Sequence, residues 1–98
     1  SLEKIVEKMS HHVAEIYKIK DRGYIREGYY ADLVLVDLNS SWKVGAHNLL
    51  SKCKWSPFEN VQFKTKIINT FVNGNMVYEN ERIPSDQVGK RLKFSKIR

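Results

Sequence analysis

Residues 63–72 and 75–79 are two β-rich runs separated by Asn73-Gly74, and that dipeptide constrains the chain more than any other feature. A two-residue loop whose twist matches its flanking strands needs positive φ at both positions, which asparagine and glycine accept most readily. The spacing predicts an antiparallel hairpin in which Val72 faces Asn75, Phe71 faces Met76, Thr70 faces Val77 and Asn69 faces Tyr78. Phe63, Ile67, Phe71, Met76 and Tyr78 then share one face. Lys64, Lys66, Ile68, Thr70, Val72 and Val77 fill the other.

Upstream, residues 31–38 form the strongest single strand signal, with Leu33 to Val36 apolar at every position. Such a run is expected inside a sheet covered on both sides, and Asn39-Ser40-Ser41 ends it with residues that bond back to their own backbone. Gly23 and Gly28 bracket Tyr24 and Ile25, which reads as turn, short strand, turn. Between Trp42 and Asn60 the pattern is irregular. Trp42 to Val44 can be extended, one or two helical turns fit within residues 46–52, and Ser56-Pro57 favours a turn. At the other end of the chain Leu2, Ile5, Val6, Met9, Val13, Ile16 and Tyr17 follow a 3.6-residue period. Glu3, Lys4, Glu7, Lys8 and Glu15 occupy the opposite side. The fold expected is mainly β with an N-terminal amphipathic α-helix, divided into a helix over residues 1–18, strands and hairpin over 19–83, and a basic tail over 84–98.

A chain of 98 residues supports one small domain at most, and 42% hydrophobic with 29% charged residues is the composition of a globular protein rather than a disordered one. No apolar run reaches the roughly 20 residues that span a bilayer, and no signal-peptide pattern opens the chain, so a soluble cytoplasmic protein with no membrane partner is expected. The net charge of +6 invites a nucleic-acid reading, but five of the basic residues are Lys90, Arg91, Lys93, Lys96 and Arg98. The remainder is nearly neutral. A solvated terminus explains this better than a folded phosphate-reading face, and no nucleic-acid partner is expected.

Few residues here carry chemistry. Adjacent His11 and His12 diverge by about 100° on a helix and cannot chelate one metal together. His47 has no carboxylate or thiolate at ligand spacing. Cys53, the single cysteine, forms no internal disulfide; Lys52 and Lys54 beside it can depress its pKa, yet no histidine is placed to act with it, and a small buried or half-buried structural side chain is expected. Asp32 and Asp37 point to opposite faces of their strand, so turn capping and strand-end solvation account for them better than paired catalysis. The five glycines are too dispersed for a phosphate loop. Catalytic, cofactor-binding and metal-ligating residues are all expected to be absent.

The stretch Arg22-Gly23-Tyr24-Ile25-Arg26-Glu27-Gly28, followed by Ala31-Asp32-Leu33-Val34 and the closing Asp37, resembles the C-terminal region of dihydroorotases and related cyclic amidohydrolases. Leu2 to His11, Trp55-Ser56-Pro57-Phe58-Glu59 and residues 70–78 continue the resemblance in order. Two positions depart from the family pattern. His12-Val13-Ala14 stands where Asn-Pro-Ala is usual, so the helix is expected to run on without a proline break, and Asn60 replaces a glycine while still tolerating a left-handed backbone.

The resemblance implies a parent enzyme that interconverts carbamoyl-aspartate and dihydroorotate on a zinc-bearing (β/α)₈ barrel, with strands from both chain ends forming an accessory β-domain beside it. No barrel, no metal ligand and no catalytic group of the family maps onto this chain. Zinc belongs to the parent and no cofactor to this chain, whose expected partner is the upstream barrel portion of the same protein. Hydantoinases and allantoinases share the pattern, so the substrate stays open; a stand-alone basic binding module is the alternative from another class. With its neighbours missing, the piece is expected to associate with itself. A chain starting at Ser1 without methionine is expected to be part of something longer.

Overall fold

The computed structural model describes residues 1–84 and 89–96. Its first fifteen helical residues form three joined stretches: α1 (Leu2–Val6), a π-helical turn (Glu7–His11) and α2 (His12–Ile16). Ser1 caps the start, its side chain accepting the Lys4 N–H. The helix does run on where the family has its proline, Val13 lying within α2, and its irregular turn comes just before that point. The His12 N–H reaches back five residues to the Glu7 carbonyl, which widens the middle turn. The C-terminal end closes with Lys18 left-handed at φ 55°, Lys18 N–H bonded to Glu15 O and Ile19 N–H to Ala14 O, the paired bonds of a Schellman cap.

Five strands follow: β1 (Leu33–Asp37), β2 (Trp42–Lys43), β3 (Gln62–Phe63), β4 (Lys66–Val72) and β5 (Asn75–Glu79). They form an antiparallel three-stranded sheet in the order β1-β4-β5 and a separate β2-β3 pair. The protein is therefore mostly sheet with one N-terminal helix, and no barrel closes among the described residues.

Asn73 and Gly74 turn the hairpin with φ of 51° and 80°, both positive as the loop requires. The expected register survives only next to the turn. Val72 faces Asn75 and Phe71 faces Met76, but Thr70 then faces Tyr78 and Asn69 faces Glu79. Val77 is the extra residue of a β-bulge. The single expected apolar face is thus divided: Tyr78, Ile67, Thr70 and Phe63 line a common cavity, while Phe71 and Met76 are not among its walls. Phe63 has also left the hairpin strand. It sits in β3 opposite Trp42, with ring centroids 5.4 Å apart.

Other expectations need correction. β1 was expected inside a covered sheet, yet it is an edge strand, with Val34 55% and Leu35 56% exposed on its two faces. The reason is arithmetic of layers: among the described residues strands lie on one side of β1 and no second layer covers it. Tyr24 and Ile25 form no strand, because Gly23 and Gly28 both take positive φ and turn the backbone at each side. Within residues 46–52 the only helical piece is a 3₁₀ turn, Ala46–Asn48, whose Asn48 side chain accepts the Gly45 N–H at 3.0 Å. Asn60 does adopt the left-handed backbone, at φ 69°.

The basic tail lies partly outside the described residues, at 85–88 and 97–98. Its described end is docked rather than loose. Lys20 N–H donates to Lys93 O and Ser95 N–H to Lys18 O, each at 2.8 Å, placing Phe94 opposite Ile19.

The interior is thin. Ala14 and Val44 are the buried apolar side chains among the described residues, with Arg22 the buried charged one. The helix stripe expected to cover something stays bare, with Met9 73% and Ile16 72% exposed. The helix instead packs through Ala14 and Ser10 against Gly23, where an added Cβ would stand 2.5 Å from Ala14 Cβ and 2.9 Å from Ser10 O.

Candidate functional site

A connected cluster of side chains gathers around the glycine loop that follows the helix. His11, on the π turn, shares a 2.6 Å hydrogen bond between Nδ1 and the Gly23 carbonyl; since a carbonyl only accepts, Nδ1 carries the proton. The His11 ring stacks on Tyr24 at 4.0 Å between centroids, nearly parallel. Tyr24 donates its hydroxyl to the Glu15 carboxylate, and that bond first of all raises the phenol's pKa above 10.0, because it favours the protonated form. On the same ring lies the Arg26 guanidinium, 3.9 Å from the centroid, with the Tyr29 ring at 5.6 Å.

Behind this knot Arg22 is 9% exposed and is held by two groups, Asp32 and Tyr30. Its Nη1 donates to the Asp32 carboxylate, its guanidinium carbon sits 4.1 Å over the Tyr30 ring, and Lys90 reaches that ring at 5.6 Å. The second oxygen of Asp32 accepts the Asn73 N–H at 2.8 Å, and Gly74 N–H donates to Ala31 O at 3.0 Å. The residues that carry the strongest sequence resemblance are therefore a brace between the helix loop and the hairpin turn. Asp32 is not paired with Asp37, whose carboxylate accepts the Asn39 N–H at 2.9 Å as an end-of-strand turn.

The remaining candidates scatter. His12 Nε2 lies 3.3 Å from Glu7 Oε1, and His47 is exposed within the 3₁₀ turn. Cys53 was expected buried or half-buried but is exposed in a turn. Its pKa is lowered, first by the Ser51 hydroxyl and then by backbone bonding at Trp55, not by the neighbouring lysines; Lys54 turns its ammonium to Leu49 O at 2.8 Å. Between the two sheets a cavity of about 590 Å³ is walled by Trp42, Leu50, Phe63, Ile67 and Tyr78, with Lys66 and Glu81 at 3.9 Å on its rim. It holds no nucleophile and base in contact.

Sequence reasoning did not anticipate the Arg22–Asp32 pair or the His11–Tyr24 stack. Each joins residues ten or more positions apart through a loop with two left-handed glycines, and no periodicity reports such a fold-back.

Comparison with known proteins decides the family. The model of the amidohydrolase family matches residues 1–77, most of the chain. The chain belongs to the amidohydrolase family. Among its relatives are a dihydroorotase of Pyrococcus horikoshii, 40% identical over 90% of this chain, and an allantoinase of Desulfitobacterium hafniense, 39% identical over 94%. In three dimensions it superposes on the L-hydantoinase of Arthrobacter aurescens with a TM-score of 0.78 and 33% identity, over 89% of this chain and 20% of that one. This amidohydrolase chain spans about a fifth of its curated relatives, 21% and 20% respectively.

Amidohydrolases are generally metal-dependent. The donors described here do not fit a catalytic metal: no three His, Cys, Asp or Glu side chains converge among the described residues, and His11 Nδ1 and both Asp32 oxygens are already engaged within the protein. No helix among the described residues is long and apolar enough to cross a membrane.

Proposed function

We propose that this chain is the C-terminal structural portion of a cytoplasmic cyclic amidohydrolase and contributes no catalytic residue of its own. The observation that carries the reading is the mismatch between its ordered parts and its bare ones. A helix, an edge strand and a sheet superpose on a fifth of a larger hydrolase, while the apolar helix stripe and the β1 faces stay uncovered. Surfaces of that kind are the faces a larger body closes over. The partner in this reading is the upstream barrel portion of the same protein, which also supplies zinc and its ligands. Strands β1 to β5 finish an accessory β-domain beside that barrel. No nucleic-acid or membrane partner is part of it.

The parent activity proposed is that of a dihydroorotase, the reversible cyclisation of N-carbamoyl-aspartate to dihydroorotate in pyrimidine synthesis. Hydantoinase or allantoinase activity is the second reading, favoured by an allantoinase relative of nearly equal identity. The test mixes this chain with the upstream portion of its parent gene and assays dihydroorotate, a hydantoin and allantoin, with metal analysis. Hydrolysis of dihydroorotate and bound zinc only in the mixture are expected. Turnover of allantoin or a hydantoin instead moves the parent to that class. Turnover by the chain alone overturns the structural role.

A further inference from the structure

A second cavity, about 520 Å³, opens where the helix end, the glycine loop and the docked tail meet. Lys18, Lys20, Arg22 and Arg26 line it, against one acid, Glu15. Arg22 is neutralised by Asp32 behind the wall, and the Glu15 carboxylate is occupied by the Tyr24 hydroxyl. Lys18, Lys20 and Arg26 have no ion-pair partner among the described residues. The docked tail closes one side of the cavity with Ser95, whose N–H donates to Lys18 O at 2.8 Å.

Arg26 gives the cluster its geometry. Its guanidinium carbon lies 3.9 Å from the Tyr24 ring centroid and Nη1 donates to the Tyr29 hydroxyl at 3.4 Å, so one of five N–H donors is used and the others remain for a ligand. A guanidinium fork sharing a cavity with two lysines suits the oxygens of a compact oxyanion. The Tyr24 ring offers no platform for a nucleobase. His11 at 4.0 Å and Arg26 at 3.9 Å cannot share one side of the Tyr24 ring, so both faces are taken and none is left for stacking.

We infer that this cavity binds a small phosphate-bearing anion, of pyrophosphate size, through Arg26, Lys18 and Lys20. The site uses no group assigned to hydrolysis and stands independently of which amidohydrolase the parent is.

The test is calorimetric titration of this chain with inorganic pyrophosphate at low salt, alongside Arg26→Gln, Lys20→Gln and the distant control Lys64→Gln. Saturable binding at millimolar or tighter dissociation constant is expected, weakened roughly tenfold by Arg26→Gln and severalfold by Lys20→Gln, and unchanged by Lys64→Gln. Circular dichroism of each variant confirms the fold; Lys20, an exposed side chain, remains informative if Arg26→Gln unfolds. Titration with ADP separates free polyphosphate from nucleotide as the source, and either supports the site if both variants weaken it. No saturable binding, equal losses in all three variants, or binding of a single-stranded RNA without binding of pyrophosphate overturns the inference.

Discussion

Asp32 accepts the backbone N–H of Asn73 at 2.8 Å across 41 positions of sequence, while its other oxygen holds Arg22. One carboxylate thereby fixes the loop after the helix to the turn of the hairpin. Replacing Asp32 with Ala leaves the guanidinium of Arg22 buried without its counter-charge and the Asn73 amide without this acceptor. A loss of about 2–3 kcal/mol is expected in chemical denaturation. A loss below about 0.5 kcal/mol, the scale of an ordinary surface change, would show that the brace is not structural.

Gly23→Ala is expected to detach the helix. At φ +89° any side chain is strained, and here its Cβ also meets Ala14 and the Ser10 carbonyl. Gly28→Ala at φ +85° meets nothing within 4 Å, so it bears the backbone strain alone, about 1 kcal/mol. The difference between the two midpoints measures the close approach itself. Equal midpoints would mean the helix and loop do not touch in solution.

The lowered pKa of Cys53 rests first on the Ser51 hydroxyl, which favours the thiolate. Below that pKa, more thiolate means faster alkylation. Ser51→Ala removes the bond, raises the pKa and slows iodoacetamide labelling at neutral pH, with the midpoint of the pH–rate curve moving to higher pH. An unmoved midpoint assigns the shift elsewhere.

The isolated chain is proposed to associate with itself through the surfaces left bare. Sedimentation at tens of micromolar is expected to show dimers or larger species, an association range ordinary for transient contacts. Met9→Lys with Ile16→Lys, placing charges on the two most exposed positions of the helix stripe, should favour the monomer. A monomeric unsubstituted chain removes the proposal.

How much of this was legible depended on the range of the interaction. The hairpin loop, β1 and the apolar stripe are local patterns, and Asn73-Gly74, Leu33 to Val36 and Leu2 to Tyr17 announce them. The bulge at Val77 is not announced, since valine suits a regular strand position equally well and the extra residue is set by pairing beyond the turn. Nor is the docking of Phe94 opposite Ile19, which joins the two ends of the chain. The exposure of β1 is hidden from the sequence for a different reason. Hydrophobicity reports that a strand can be covered, not whether the covering layer is on the same piece of chain. As for a site, the sequence lacked ligand spacing, and the described donors do not converge; the cationic cavity needed the fold-back of the glycine loop to exist.

The five-residue reach from His12 to Glu7 gives the helix a spare position. A π turn holds one residue more than the α turn it replaces, so removing a single residue between Glu7 and His11 can be absorbed by tightening that turn, with both flanks keeping their rotational phase. The same deletion within Leu2–Val6 has no slack to draw on and swings every residue before it by about 100°. The helix therefore tolerates length change at one place only, and that place is the turn from which His11 holds the glycine loop.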